Sequence, residues 1–519
     1  VLEQIRSRIA RWISPSKIQR RQYGSARNSR LTADWRPANS SADAELVSSL
    51  TTLRSRSRQL GRDFGYAKRG KVVVVNNVIG CGIGMQAHVK TSRDELNVRV
   101  NDDIEATFEE WSEAQNCHTG GRLAFKHLER VGMGQVFDAG EVFFREHYRS
   151  FGPQGIPYAL ELIEAERIAD DLASTNVRLA PGHQIRMGVE VDEFQKPVAY
   201  WIRKNHPGEV RWKGEQIDEI ERVPAEQIIH LAYIDRWPQT RGEPWMHAAA
   251  RRLNDMDGYS EAEIIRARAQ ASLGGVIETS EDAESFGELQ DDGSTEMELE
   301  PGVLKRTNPG EKVHLPAPTA PNAAADPFLR ALLREVAAAI GVSYESISRD
   351  YSQSNYSSSR MGLIEDRDLW KMIQAWFICD FRYIVHKRWL RQAVLAGKLS
   401  TISVEAYALS TRKFEAVKFK PRGWTWVDPT VEVEAYKEAV KSGFTTVGDV
   451  IAATADGRDI EDVMNERERE LKMMASKGLV FETSPEFYDK EDPPPKPANV
   501  AGNEQNPPPR RVFSFGSKQ

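Results

Sequence analysis

The sequence predicts an α+β fold of mixed helices and strands, and three observations carry that prediction. Short runs that alternate apolar and polar residues cluster between residues 141 and 204, the period-two mark of strands. Longer stretches around 43–64, 243–273, 326–340 and 360–395 repeat apolar residues every three or four positions, the mark of amphipathic helices. The 519 residues are 40% hydrophobic and 28% charged, enough core material for two to four structural units.

Composition excludes several classes. A net charge of −6 argues against a general nucleic-acid coat, which would be basic. The three cysteines, Cys81, Cys117 and Cys379, form no CxxC pair, so neither a disulfide framework nor a zinc site is expected, and a reducing compartment fits. No run reaches the ~18 apolar residues of a membrane helix. Residues 1–30 hold eight Arg/Lys against one acid, Glu3, a composition shared with transit peptides, and read first as a mobile basic arm.

The elements follow in order. Asp43 to Phe64 is helical and arginine-rich, with Arg54, Arg56, Arg58 and Arg62 beside Leu46, Leu50, Leu53 and Leu60. Lys71 to Val78, with the run Val72–Val75, reads as a buried strand, and "GCGIG" after it as a glycine-kinked strand. Asp102 to Asn116 is expected to be a helix that buries Phe108 and Trp111. Strands are expected at Glu141, Tyr158, Ile185 and Pro197, with "GVEVDEFQKPVAYWI" as a hairpin. Pro244 suits a first helical turn, and the helix from there runs toward Leu273, with Gly258 as a candidate bend.

The character then changes. From Ala269 to Leu304 there is no Lys or Arg but there are ten acids, among them Glu288, Asp291, Asp292, Glu296, Glu298 and Glu300. A proline-spaced return leads to a second helix from Asp326, with Phe328, Leu332, Val336 and Ile340 on one face and Gly341 as its stop. "RDYSQSNYSSSR", Arg349 to Arg360, is soft and polar, and a third helix is expected from Arg360 to Leu395. Strands resume near Thr401, a helical segment covers about 431–478, and the proline-rich tail cannot bury a core.

No motif for chemistry stands up. Gly80, Gly82 and Gly84 run as GxGxG and lack the spacing and the helix of a dinucleotide site. "AGKLS" at Ala396 is not a P-loop, and GxSxG is absent. Cys117–His118 would need distant partners to hold a metal, and the acidic run lacks the ligand spacing of a calcium loop. "DRWPQTRGEPW", with Arg236, Gln239, Thr240 and Arg241, reads best as a polar corner that starts the long helix. No cofactor, metal or catalytic residue is assigned.

Several stretches together resemble the portal proteins of tailed bacteriophages, of the lambda type. They include "LRSRSRQLGRDFGYA", "NNVIGCGIG", "VPAEQIIHLAYIDRWPQTRGEPWM", "AAAIGVSYESISRDYSQSNYSSSR" and "GWTWVDP", and the resemblance covers about 33–480. It implies a portal fold: an α/β wing (31–242 and 361–429), a two-helix stem (243–273 and 326–342), an inserted clip (274–325) and a helical crown (430–478), with an arm (1–30) and a tail (479–519) at the ends. It places a tunnel loop at 343–360, with Arg349, Tyr351, Ser352, Gln353, Ser354, Asn355, Tyr356, Ser357, Ser358 and Arg360 facing the channel. The acids Glu288, Asp291, Asp292, Glu296, Glu298 and Glu300 become a docking surface on the clip.

The function so implied is a twelve-subunit ring at one capsid vertex, assembled in the host cytoplasm. It would pass double-stranded DNA without sequence preference during packaging and ejection. The implied partners are a terminase, the major capsid protein, a scaffold or protease, and head-tail adaptor proteins, with no membrane. The missing P-loop fits a separate ATP-hydrolysing motor. The alternatives are a metal-dependent DNA-processing enzyme such as a nuclease, and a host adaptor that closes no ring.

Overall fold

Leucines at helical spacing among the arginines build the first helices of this computed structural model: α1 (Ala42–Val47), α2 (Leu50–Asp63) and α3 (Gly65–Val78). The described residues are 39–93, 95–210, 219–272, 322, 324–424, 429–454 and 460–479, together with four short strands between 273 and 321. They form two compact units divided after Arg422. The expected arm (1–30) lies outside them, as does the expected tail beyond Leu479.

The predicted strand Lys71–Val78 is a helix. Val73, Val74, Val75 and Val78 are all buried because α3 is packed on several sides, so its apolar run shows no face. A short apolar run between turns does not tell strand from buried helix, and here packing overrides β-propensity. The glycines that follow end this helix rather than kink a strand. Gly80 takes φ +61° and its N–H reaches back to the Val75 carbonyl at 3.2 Å, a left-handed helix stop. Only β1 (Gly84–Ala87) is extended, and it pairs with β13 (Val417–Lys420).

Helix α4 (Val98–Trp111) starts four residues earlier than expected, because Asn97 caps it through the Val100 N–H at 3.4 Å. Phe108 and Trp111 are buried as expected. Helix α5 (Phe125–Ala139) has no counterpart in the reading above. Strands β2 (Glu141–His147), β3 (Ala159–Ile163) and β8 (Ile228–Ala232) form one antiparallel sheet in the order β3-β2-β8. Strands β4 (Gln184–Arg186), β5 (Val189–Val191), β6 (Pro197–Arg203) and β7 (Ile220–Pro224) form the second. The expected hairpin is β5–β6, and Asp192 closes its turn by accepting from the Phe194 and Lys196 N–H groups, both at 2.9 Å. Phe143, Ile163, Val189, Tyr200 and Val223 share one core between the sheets.

The long helix is shorter than expected. Pro244–Ala249 forms turns, and α6 is regular over Ala250–Ser272, running through Gly258. Its packing partner is α7 (Ala325–Ile340), which buries Leu333, Val336, Ala337 and Ile340. Between them, β9 (Val276–Glu278) pairs with β12 (Lys312–His314), and β10 (Glu288–Leu289) with β11 (Thr295–Glu296).

After the short helix α8 (Tyr344–Ser348) comes α9 (Tyr356–Phe377). The expected single helix 360–395 is interrupted by a π-helical turn, Ile378–Arg382, before α10 (Tyr383–Leu395). Within this turn Arg382 lies buried, where it pairs with Glu129 and donates to the Ile83 carbonyl. Near Thr401 there are two short helices, Val404–Leu409 and Thr411–Phe414, before β13, so strand structure resumes later than expected. The second unit holds α11 (Pro429–Lys441), α12 (Val447–Thr454) and α13 (Ile460–Lys477) where one helical segment was read.

The polar corner before α6 meets the sheet at a buried charge cluster. Glu141 opens β2 with no exposure. It is ion-paired to Arg54 of α2, accepts from Arg241 Nε at 2.8 Å and the Gly242 N–H at 2.9 Å, and lies 2.8 Å from His230 Nε2. Arg241 also donates to the Met187 and Ala165 carbonyls. Gly140 and Gly242 let the two backbones touch, since a Cβ on Gly242 would sit 2.1 Å from the Gly140 carbonyl oxygen. Burial pushes the Glu141 carboxyl up, but Arg241, Arg54 and His230 outweigh it and hold it below the ordinary range. Burial also lowers Arg54 to about 10.

Glu141→Gln leaves two buried guanidiniums without their anion, and we expect a loss of ~3–5 kcal/mol in urea unfolding at pH 7. The folded carboxyl titrates below the unfolded one. Its contribution is therefore complete above an unfolded pKa of about 4.3 and is lost only as the pH falls further. The wild-type and variant unfolding curves should thus converge only in strong acid.

Candidate functional site

The serine-rich stretch is a short loop with fixed roots. Gly341, at φ +83°, ends α7. Ser343 then donates twice to Asp366 of α9, from its N–H to Oδ1 at 2.8 Å and from its hydroxyl to Oδ2 at 2.7 Å. Ser346 Oγ donates to the same Oδ2 at 2.7 Å. Asp366 is buried, so one carboxylate ties α8 to the core face of α9. Arg69 of α3 donates to the Ser346 carbonyl at 3.0 Å from the other side.

The loop proper is Arg349–Asn355. Arg349 leaves α8 in the left-handed conformation, φ +59°, and its side chain is exposed. Asp350 accepts from the Ser352 N–H at 3.0 Å and from the Tyr344 hydroxyl at 3.1 Å, and it stands 3.5 Å from Arg330 of α7. The Ser352 bonds, chiefly, with help from Tyr344 and Arg330, lower the Asp350 carboxyl to about 2, so it stays ionised. Tyr351, Ser352 and Gln353 are exposed, and the Ser354 N–H closes a turn on the Tyr351 carbonyl at 3.2 Å.

The rest of the expected loop is helix. Asn355 and Ser358 form a reciprocal cap: the Ser358 N–H donates to Asn355 Oδ1 at 2.8 Å and the Asn355 N–H to Ser358 Oγ at 3.1 Å. Tyr356 opens α9, Ser357 is exposed on its first turn, and Arg360 is half-buried on it. The loop thus keeps Arg349, Tyr351, Ser352, Gln353, Ser354 and Asn355 together, and Tyr356, Ser357, Ser358 and Arg360 belong to the helix behind them. Sequence reading missed Asp366, Arg69 and Arg330 as anchors. Nothing in the spacing of 277 residues ties Arg69 to Ser346.

Of the acidic group, Glu288 and Glu296 fall in β10 and β11, where the register sets them opposite each other. Asp291, Asp292, Glu298 and Glu300 lie outside the described residues. The arginine stripe of α2 is largely spent on the chain itself. Arg54 pairs with Glu141, Arg58 holds Glu166 at 2.6 Å, and Arg62 holds Asp63 at 2.8 Å. Glu164, Glu166 and His206 converge, but the Arg58 guanidinium already neutralises Glu166 through two hydrogen bonds. Cys117 is buried, which pushes its thiol up to about 12, and His118 Nδ1 accepts from the Arg122 and Leu123 N–H groups. Among the described residues no helix is long and apolar enough to cross a membrane.

A family model described as phage portal protein, lambda family, matches residues 28–374, a span that takes in both sheets, α6, α7 and the loop. The chain belongs to the lambda family of phage portal proteins. A probable portal protein of Halomonas phage phiHAP-1 is 31% identical over 471 residues, 88% of this chain and 88% of the relative. Portal protein B of Escherichia phage lambda is 20% identical over 483 residues, 86% of this chain and 88% of the relative. A chain from the neck of an empty GTA particle matches with a TM-score of 0.41 at 16% identity, over 77% of this chain and 92% of that one. Portal proteins are structural components of the capsid, not enzymes, and membership sets aside the nuclease alternative.

In this portal protein the loop depends on Asp366. Asp366→Ala takes the acceptor from the Ser343 N–H and leaves the Ser343 and Ser346 hydroxyls only each other, and we expect a loss of ~1–3 kcal/mol and faster proteolytic cleavage within 349–355. Denaturant unfolding and timed protease digestion measure the two effects. Cleavage at the wild-type rate would mean that Asp366 does not hold the loop.

Proposed function

We propose that twelve copies of this portal protein close a ring at one capsid vertex, forming the channel for packaging and ejecting double-stranded DNA. In this reading Arg349–Asn355 is the tunnel loop, the acidic insert is the clip on which the terminase and later the head-tail adaptors dock, and residues 430–478 form the crown. The wing sheets would face the major capsid protein and the scaffold or protease.

The observation that carries the reading is the loop itself. Its roots are held by Asp366, Asp350 and the Asn355–Ser358 cap, whereas its tip is exposed hydroxyl, amide and phenol. A channel must let a duplex slide. Each Lys or Arg on a phosphate releases counterions and binds strongly, with steep salt dependence. Neutral hydroxyl and amide groups contact phosphate weakly and without reading sequence. The tip also balances Arg349 against an ionised Asp350, so it adds little net charge. The acids of the insert, uninterrupted by Lys or Arg from Ala269 to Leu304, repel the duplex and present an electrostatic face to a basic partner.

Two experiments test this. Deleting Ser352–Ser354, which spares the Asn355–Ser358 cap, should leave rings countable by electron microscopy while the nuclease-protected DNA per head falls. Wild-type DNA content in such heads would end the loop assignment. The double variant Glu288→Lys and Glu296→Lys should weaken terminase capture by assembled rings, most clearly at low salt. Equal capture at every salt concentration would remove the clip from docking.

A further inference from the structure

A cavity of about 280 Å³ lies at the carboxyl end of α7, where Tyr233, Asp235, Glu243, Trp245, Ala339 and Ile373 contribute to its lining. One wall is apolar and held in place. Ile373 is fully buried, Trp245 donates from Nε1 to the Ile340 carbonyl at 3.0 Å, and Tyr233 stacks on Trp245 with ring centroids 5.8 Å apart. Two carboxylates share the lining. Asp235 is exposed and Glu243 half-buried, and neither has an ion pair or a hydrogen bond to its side chain among the described residues. The helix adds a third acceptor. The Gly341 and Val342 N–H groups turn back to Ala337 and Ala338, and the Ser343 N–H goes to Asp366, so the Ala339 carbonyl accepts nothing among the described residues.

These groups call for one kind of ligand. All three are acceptors, two of them charged, and the carboxyl end of a helix adds partial negative charge. No Lys or Arg is among the described residues that line the cavity, and the exposed His247 has its Nδ1 3.0 Å from the Pro244 carbonyl. A phosphate would be repelled by the two carboxylates. An ammonium is strongly hydrated and suits an apolar wall poorly. A guanidinium is planar, weakly hydrated and rich in donors, so it can lie against aromatic and aliphatic groups while it bonds to carboxylates.

The chain offers such a group nearby. The described residues begin at Asn39, and the Ser40 carbonyl accepts from Arg236 Nη2 at 2.7 Å. Arg236 follows Asp235 in sequence, so Ser40 stands on the order of 15 Å or less from the Asp235 backbone. Arg36 precedes Ser40 by four residues, a reach of about 13 Å before its own side chain is added, and Pro37 favours the extended backbone that this reach needs. Charge matches as well: residues 1–38 hold nine Arg/Lys against two acids, Glu3 and Asp34. We infer that Arg36 seats its guanidinium in this cavity of its own chain, between Asp235, Glu243 and the Ala339 carbonyl, and so docks the amino-terminal segment at the end of α7. Ala339 stands four residues before Ser343, the first anchor of the serine-rich loop, so the docked arginine braces that root. Ring formation plays no part in the inference.

The test is cross-linking within the full chain carrying Cys81→Ser and Cys379→Ser, which removes the two exposed native thiols. Ala33→Cys combined with Ala338→Cys, treated with a short bismaleimide, should give a bridge within one chain, read by mass spectrometry of the digested protein. Adding Arg36→Ala, or Asp235→Asn with Glu243→Gln, should slow that bridge about tenfold or more, the loss of charge-assisted hydrogen bonds. An equal rate with Arg36→Ala would mean that nearness along the chain makes the bridge, and would overturn the inference. No bridge at all would overturn it too, as would bridges between chains in place of those within one. A second measure needs no added cysteine. Trypsin does not cut between Arg36 and Pro37, so the Arg30–Leu31 bond reports on the segment. Its cleavage should run about tenfold faster after Asp235→Asn with Glu243→Gln, with circular dichroism unchanged. Cleavage at the wild-type rate would overturn the docking.

Discussion

The sheet built on β2 and the corner that leads into α6 are joined by one buried carboxylate. Glu141 lies at the first position of β2, where α5 ends and the chain from residue 242 onward departs toward α6. It gathers a guanidinium from α2, another from the corner before α6, and an imidazole from β8. A single unpaired charge there would be prohibitively costly, so each element is placed by the need to neutralise the others. An all-apolar replacement could match this cluster in stability. It would not fix direction as well, because Arg241 spends its remaining donors on two specific carbonyls, those of Met187 and Ala165.

The same logic recurs at smaller scale. Arg382 with Glu129, and Arg388 with Glu146 and the Tyr158 hydroxyl, fasten α10 and the π-helical turn to α5 and β2. These cations, Arg382 buried and Arg388 half-buried, are committed to carboxylates within the subunit. At the loop the exposed groups are the phenol, hydroxyl and amide of Tyr351, Ser352 and Gln353, with Arg349 exposed beside them. Strong electrostatics therefore sits inside, where it fixes position, and weak polarity sits at the loop tip.

Much of this was legible in the sequence, and the rest has identifiable reasons for being hidden. The corner "DRWPQTRGEPW" announced itself by composition, and its residues bond as a corner should: the Thr240 N–H donates to Asp43 Oδ1 at 2.7 Å, and Gln239 Nε2 donates to the Arg241 carbonyl at 2.9 Å. The partner of Arg241 did not announce itself, because Glu141 is 100 residues away and reads as an ordinary strand residue. The valines of α3 misled because β-branching predicts strand when no polar face is present to give the helical period. The π-helical turn left no trace, since one added residue in a helix changes the register without changing the composition. The serine-rich loop was visible as composition, but its extent was not, because serine serves equally well as loop and as helix cap.

That last ambiguity carries a mechanical meaning. Of the polar residues from Arg349 to Arg360, Asn355 and Ser358 are consumed by capping α9, and Asp350 by its bonds to Tyr344, Ser352 and the neighbouring Arg330. Those bonds span three elements, since Arg330 belongs to α7, Tyr344 to α8 and the cap to α9. A shift of α7 along its axis would therefore pull on Asp350 before it disturbed the buried Asp366 anchor, because the Arg330–Asp350 pair, 3.5 Å apart and half-buried, is the less buried and weaker of the two. Tyr351, Ser352 and Gln353 form the exposed tip, and the bond that Ser352 makes is to Asp350 within the same loop. The tip can yield to a moving partner while its roots stay in register.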